Sequence, residues 1–99
     1  MDEEIGRLHK RTDHTRVQFL TVELQTCFTA MDLARFELSV GNTAVTQTEI
    51  AAVEKGISII QRFLPDVSGE ARRELEASLA KLQSELVSLK AELRTTSQL

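Results

Sequence analysis

The sequence has few of the residues that form a β-sheet core. Its 99 residues include no Trp and no Tyr, and its only aromatic side chains are four Phe. Strands are enriched in aromatic and β-branched residues, whereas a core of Leu, Ile, Val and Ala suits helices packed on helices. We therefore expect an all-α protein. The single proline, Pro65, is expected to end a helix, because proline lacks the backbone N–H that a helix interior requires.

Cysteine is almost absent as well. The one thiol, Cys27, has no second cysteine with which to form an intramolecular disulfide. The first residues, Met1 to Glu4, are acidic, whereas a secretory signal would be basic and then apolar. These two observations favour a reducing, cytoplasmic setting.

An excess of positive charge is also missing. The formal net charge is −3, and Lys and Arg are spread along the chain, so no basic face is expected to neutralise phosphates. The longest apolar region, residues 19–40, is interrupted by Glu23, Asp32, Arg35 and Glu37, which are costly to bury in a bilayer. We expect neither a nucleic-acid partner nor a membrane span.

What the sequence does contain is a leucine ladder in its C-terminal third. Six leucines follow one another at alternating spacings of four and three residues: Leu75, Leu79, Leu82, Leu86, Leu89 and Leu93. This spacing fills the a and d positions of a heptad and makes one narrow apolar stripe along a helix. It predicts a coiled-coil-like helix over about residues 69–96.

The first predicted helix carries two apolar stripes with helical spacing. The first stripe contains Thr12, Thr15, Phe19, Val22, Thr26, Thr29, Leu33, Phe36 and Val40, and the second contains Val17, Leu20, Leu24, Cys27, Met31, Ala34 and Leu38. Two adjacent stripes make a broad face, which predicts a helix over about residues 13–40 that contacts two neighbours. Residues 1–12 keep the same register through Ile5 and Leu8, so they are either a frayed tail or an extension of this helix. Gly41 is placed to close it in a left-handed conformation.

A capping box predicts where the second helix begins. In Thr46-Gln47-Thr48-Glu49, the Thr46 hydroxyl would bond the backbone N–H of Glu49 while the Glu49 side chain reaches back. The helix is predicted over about residues 46–64. The predicted architecture is one domain, residues 1–99, folded as an up-down-up bundle of a long, a short and a long helix.

Helices of unequal length leave part of the bundle uncovered. The long helices would extend about 14 Å past the short one, and a second copy of the chain is the simplest cover. If two copies of the third helix ran parallel, Glu85 of one would face Lys90 of the other. We expect a protein partner, either a second copy or another helical protein, and hence a homo-oligomer. The candidate interface residues are the six leucines of the ladder with Phe19, Val22, Leu33 and Phe36.

The predicted function is protein–protein interaction or oligomerisation, in an adaptor, an accessory subunit or a chaperone-like factor. The alternative is a bundle that binds a small apolar ligand between its first two helices, where Ala30, Ala34, Ala52 and Gly56 lie one turn apart in pairs.

Chemical signatures are missing from the sequence. His9 and His14 would lie on different faces of a helix, which is poor geometry for a metal. Cys27 lies on an apolar stripe and has no basic residue one turn away to stabilise a thiolate. We therefore expect no cofactor, no metal and no enzymatic activity. The threonines of the first stripe are interpreted as a partly exposed edge whose hydroxyls bond preceding carbonyls, and alternatively as a groove for a partner helix.

Overall fold

The structure is a computed structural model that describes the backbone of residues 2–97 and the side chains of residues 13–96. It contains three long helices, α1 (Asp2–Ser39), α2 (Thr43–Phe63) and α3 (Gly69–Ser97), and no strand within the described backbone. The predicted all-α, up-down-up bundle with a long, a short and a long helix is confirmed. Both α2 and α3 pack against α1, and α2 approaches it more closely than α3 does.

The first helix is longer than its predicted range of 13–40. It begins at Asp2, so the backbone of residues 2–12 extends the helix and is not a separate tail. At a rise of about 1.5 Å per residue α1 is about 57 Å long, compared with about 43 Å for α3. Because Val17 of α1 lies beside Ala71 near the start of α3, the turns of α1 before Val17 project beyond the rest of the bundle.

The turn between α1 and α2 has the conformation that the sequence predicts. Gly41 has φ of +83°, which only glycine adopts without strain. Its N–H donates to the Leu38 carbonyl at 3.0 Å, and the Asn42 N–H donates to the Glu37 carbonyl at 2.8 Å. This is the Schellman arrangement, which satisfies carbonyls that the helix end leaves without a partner.

The predicted start of the second helix is wrong by one turn. Asn42 is the N-cap of α2, and its side-chain oxygen accepts from the Val45 N–H at 3.3 Å. Thr46 does not form the predicted capping box with Glu49. Its side chain is fully buried, and its hydroxyl donates to the Asn42 carbonyl at 2.9 Å and lies 3.4 Å from the Ala34 carbonyl of α1. A threonine that resembles a cap in the sequence is therefore a helix–helix contact.

The other end of α2 follows the prediction closely. The helix ends at Phe63, and Pro65 lies in a short 3₁₀ turn, Leu64–Asp66, that leads to α3. Leu64 and Val67 at this corner are buried. The predicted range of α3, about 69–96, agrees with the observed helix to one residue.

The core combines one stripe from each helix. From α1 it takes the second stripe. From α2 it takes Ile50, Val53, Ile57 and Ile60, and from α3 five leucines of the ladder: Leu75, Leu79, Leu82, Leu86 and Leu89. Leu93 packs against this core and is partly buried. No helix among the described residues is long and apolar enough to cross a membrane.

Candidate protein-interaction face of the first helix

The first stripe of α1, which we call the outer stripe, is exposed along its described length. Its five large apolar side chains keep about half of their surface in contact with solvent: Phe19 45%, Val22 57%, Leu33 44%, Phe36 60% and Val40 61%. The neighbouring second stripe is buried against α2 and α3, and it makes both of the contacts predicted for α1. A run of large apolar side chains at heptad spacing on one exposed helix face is typical of a surface that binds another protein.

The threonines of this face have their hydroxyls satisfied within the helix. Thr26 donates to the Val22 carbonyl and Thr29 to the Gln25 carbonyl, each at 2.9 Å. The interpretation of an exposed edge with hydroxyls bonded to preceding carbonyls is thus confirmed for these two residues. Thr15 is exposed, and the side chain of Thr12 lies outside the described residues. Because both hydroxyls already donate within the helix, a partner that covers Thr26 and Thr29 leaves neither donor without a hydrogen bond.

One aromatic residue from α2 widens the face. Phe63 is 37% exposed, and its ring meets the Phe19 ring edge-to-face with centroids 6.0 Å apart. The Arg62 guanidinium lies 5.7 Å from the centre of the Phe63 ring. Phe63 is not among the predicted interface residues, because its spacing places it on an apolar stripe of α2. Its position as the last residue of α2 indicates exposure, since the end of a helix is less completely covered by its neighbours than the middle.

The structure separates the predicted interface residues into two groups. Phe19, Val22, Leu33 and Phe36 are together on the exposed face of α1, whereas the leucine ladder is turned into the core. The charges beside the ladder are also used within the chain. Glu85 lies 3.7 Å from Arg35 of α1, and Lys90 lies 3.0 Å from Glu54 of α2. The ladder therefore serves as the third wall of the bundle.

The small residues between α1 and α2 allow the helices to approach closely. Ala34 is fully buried, and Gly56 packs against the sulfur of Cys27. The shallow groove beside them, which Ala30 and Ala52 help to line, has a volume of about 140 Å³. Ligand pockets usually have about 300 Å³ or more. This packing counts against a small apolar ligand between the two helices.

Potential metal ligands and nucleophiles are not gathered on this face. Within residues 13–96 no three side chains of the types His, Cys, Asp and Glu are placed to hold a metal ion. His14 is exposed, and the side chain of His9 lies outside the described residues. Burial raises the pKa of the Cys27 thiol, with a smaller contribution from the charge of Glu23. A thiol in this environment stays protonated and is a poor nucleophile.

Comparison with known proteins gives no relative. No family model matches the chain, and no curated protein or solved structure shows significant similarity to it.

Proposed function

We propose that this protein is a protein–protein interaction module and that the outer stripe of α1, widened by Phe63, is its contact surface. The supporting observation is that Phe19, Val22, Leu33, Phe36 and Val40 are exposed although the chain has a separate, complete core. No side-chain N or O atom buried among the described residues lacks a hydrogen-bond partner. The stripe is exposed in the folded chain, so a partner can bind it without any rearrangement of the core.

This role fits an adaptor, an accessory subunit or a chaperone-like factor, with self-association as one form of it. We place the protein in the cytoplasm, because its single thiol is buried and unpaired and so makes no use of an oxidising environment. Catalysis is not part of the proposal, since the described surface offers no group of reactive side chains.

A photoreactive amino acid at position 36 tests the proposal in cells of the native host. Phe36 is 60% exposed on the outer stripe, and Val87 is 65% exposed on α3, so the same substitution at position 87 is a matched control. We expect cross-linked adducts from position 36, either with a second copy or with another protein, and few from position 87. Equal labelling at the two positions, or no adduct from position 36, would contradict the proposed surface.

A substitution at the same position separates binding from folding. Phe36→Glu is expected to remove the adduct formed from a photoreactive group at neighbouring Leu33, while the melting temperature stays close to that of the unsubstituted chain. Exposed substitutions usually change the free energy of unfolding by about 0.5 kcal/mol or less. A large fall in the melting temperature would show instead that Phe36 belongs to the core.

A further inference from the structure

The outer stripe reads nearly the same in both directions. Counted outward from the point between residues 27 and 28, Thr26 and Thr29 are equidistant, then Val22 and Leu33, then Phe19 and Phe36. Each of these three pairs matches in chemical type, threonine with threonine, aliphatic with aliphatic and phenylalanine with phenylalanine, whereas the next pair outward, Thr15 and Val40, does not. In an interface between two identical chains related by a two-fold axis, residue i contacts residue j while j contacts i, so this arrangement brings like apolar side chains opposite one another.

We propose that two copies of the chain associate through their outer stripes as an antiparallel, two-fold symmetric dimer. Its axis passes between residues 27 and 28, and Phe19 of each copy packs against Phe36 of the other. This inference rests on the proposed function and identifies the partner as a second copy. The Phe63 ring, in edge-to-face contact with Phe19, adds a third aromatic ring at each end of the interface.

The register follows from the pairing of large with large side chains. Antiparallel helices with heptad stripes can also slide by seven residues, which keeps a and d positions opposite one another. Sliding in one direction places Phe19 opposite Thr29, and sliding in the other places Phe36 opposite Thr26. Both shifted registers oppose an aromatic ring to a small polar side chain, so the central register buries the most apolar surface.

The antiparallel direction of the two α1 helices follows from the charged residues beside the outer stripe. Arg16 and Glu37 occupy heptad position e, the same position as Ala30, which lines a groove beside α2, and both are partly exposed. Arg16 also lies 3.7 Å from Asp13 of its own helix. In the antiparallel register Arg16 of each copy faces Glu37 of the other, which gives two attractive pairs. In a parallel dimer Asp32 of each copy would face Glu37 of the other, and like charges would oppose each other twice.

Reversing these charges tests the arrangement on the whole chain. Within one copy Arg16 and Glu37 are 21 positions apart, about 31 Å along α1, so they cannot pair intramolecularly. We expect Arg16→Glu and Glu37→Arg each to weaken the dimer about tenfold, and the double variant to return it to within about threefold of the unsubstituted chain. Analytical ultracentrifugation over a dilution series measures these constants, and circular dichroism confirms that each variant keeps its helices. A double variant that dimerises as weakly as the single variants would overturn the arrangement.

Disulfide trapping gives an independent measurement of direction. In a Cys27→Ala background, a chain with Val22→Cys is mixed with a longer, tagged chain with Leu33→Cys. The antiparallel register predicts the mixed disulfide between the two chains. Two copies of position 22 would then be about 16 Å apart along the axis, beyond the reach of a disulfide. Homodisulfides of both chains without the mixed product would show a parallel dimer and overturn the inference.

Failure of the dimer is distinguishable from failure of the interaction surface. A purified chain that is monomeric at every concentration overturns the dimer. If the photoreactive group at position 36 then gives adducts with another protein, the interaction surface still stands. If it gives no adduct at all, both proposals fail.

Discussion

Cys27 of α1 occupies the space that a Cβ atom on Gly56 of α2 would need. Both residues are buried, and the thiol also approaches the Val53 carbonyl, with the sulfur 4.0 Å from the oxygen. The two helices approach each other closely here because one contributes no side chain and the other only a small one. This contact is the centre of the α1–α2 interface, and it makes Gly56 necessary for a reason unrelated to backbone conformation.

Gly56→Ala is therefore expected to destabilise the chain, although alanine is the better helix former by about 1 kcal/mol. The added methyl group overlaps the Cys27 sulfur, and overpacking of this kind costs about 1–3 kcal/mol. The double variant Gly56→Ala with Cys27→Ala removes the overlap and is expected to recover most of the loss. Chemical denaturation of the four chains measures the coupling, and strictly additive effects would contradict the contact.

Cys27 also predicts a dependence of stability on alkaline pH. Burial holds the pKa of its thiol above the ordinary value of 9.0. Below that pH the thiol is protonated in both states and its contribution to stability is fully present. As the pH rises further, the unfolded chain releases the proton first, so the free energy of unfolding falls by up to about 1.4 kcal/mol per pH unit. The decline continues until the folded thiol titrates as well.

Comparison with Cys27→Ala isolates this contribution, because the two chains differ only at this side chain. The alanine variant is expected to lose less stability than the unsubstituted chain between pH 9 and the pKa of the folded thiol. Thiolate absorbance gives a direct second reading, which neither Tyr nor Trp obscures because the sequence has none. Identical alkaline decline in the two chains would mean that the folded pKa is not raised.

Leu86 and Val87 are neighbours on α3 with opposite environments, since Leu86 is 7% exposed and Val87 is 65% exposed. Leu86→Ala leaves a cavity in the core and is expected to cost about 2–5 kcal/mol. Val87→Ala is the matched control, with a change of about 0.5 kcal/mol or less. Thermal and urea denaturation compare the two variants. An unchanged melting temperature for Leu86→Ala, together with loss of self-association, would assign the ladder to an intermolecular zipper.

Alanine substitutions at Asn42 and Glu49 distinguish the observed N-cap of α2 from the capping box that the sequence suggests. Asn42→Ala removes the acceptor of the Val45 N–H and is expected to cost about 1 kcal/mol. Glu49→Ala is expected to change stability by about 0.5 kcal/mol or less, because the Thr46 hydroxyl is directed at Asn42 and Ala34. A larger loss from Glu49→Ala than from Asn42→Ala would restore the capping box.

Much of the fold is determined by the sequence alone, because local periodicity and turn chemistry act over a few residues. Helical spacing of the apolar residues identifies three helices, Gly41 identifies the end of the first, and Pro65 identifies the turn before the third. The four residues of α1 in the predicted interface set share one stripe by their spacing, and all four are exposed. These features depend on the chain's own geometry and not on what surrounds it.

Tertiary structure alone decided which apolar stripe of α1 faces inward and which carbonyls surround the buried Thr46 hydroxyl. Both stripes have the same period, and a period relates residues within a helix without setting its rotation toward its neighbours. The second stripe is the one that packs, because Cys27 and Ala34 are small enough to admit Gly56 and Thr46 of α2, whereas Phe19, Phe36 and Leu33 would hold α2 away. The buried Thr46 hydroxyl likewise depends on a carbonyl of another helix, which no local pattern contains.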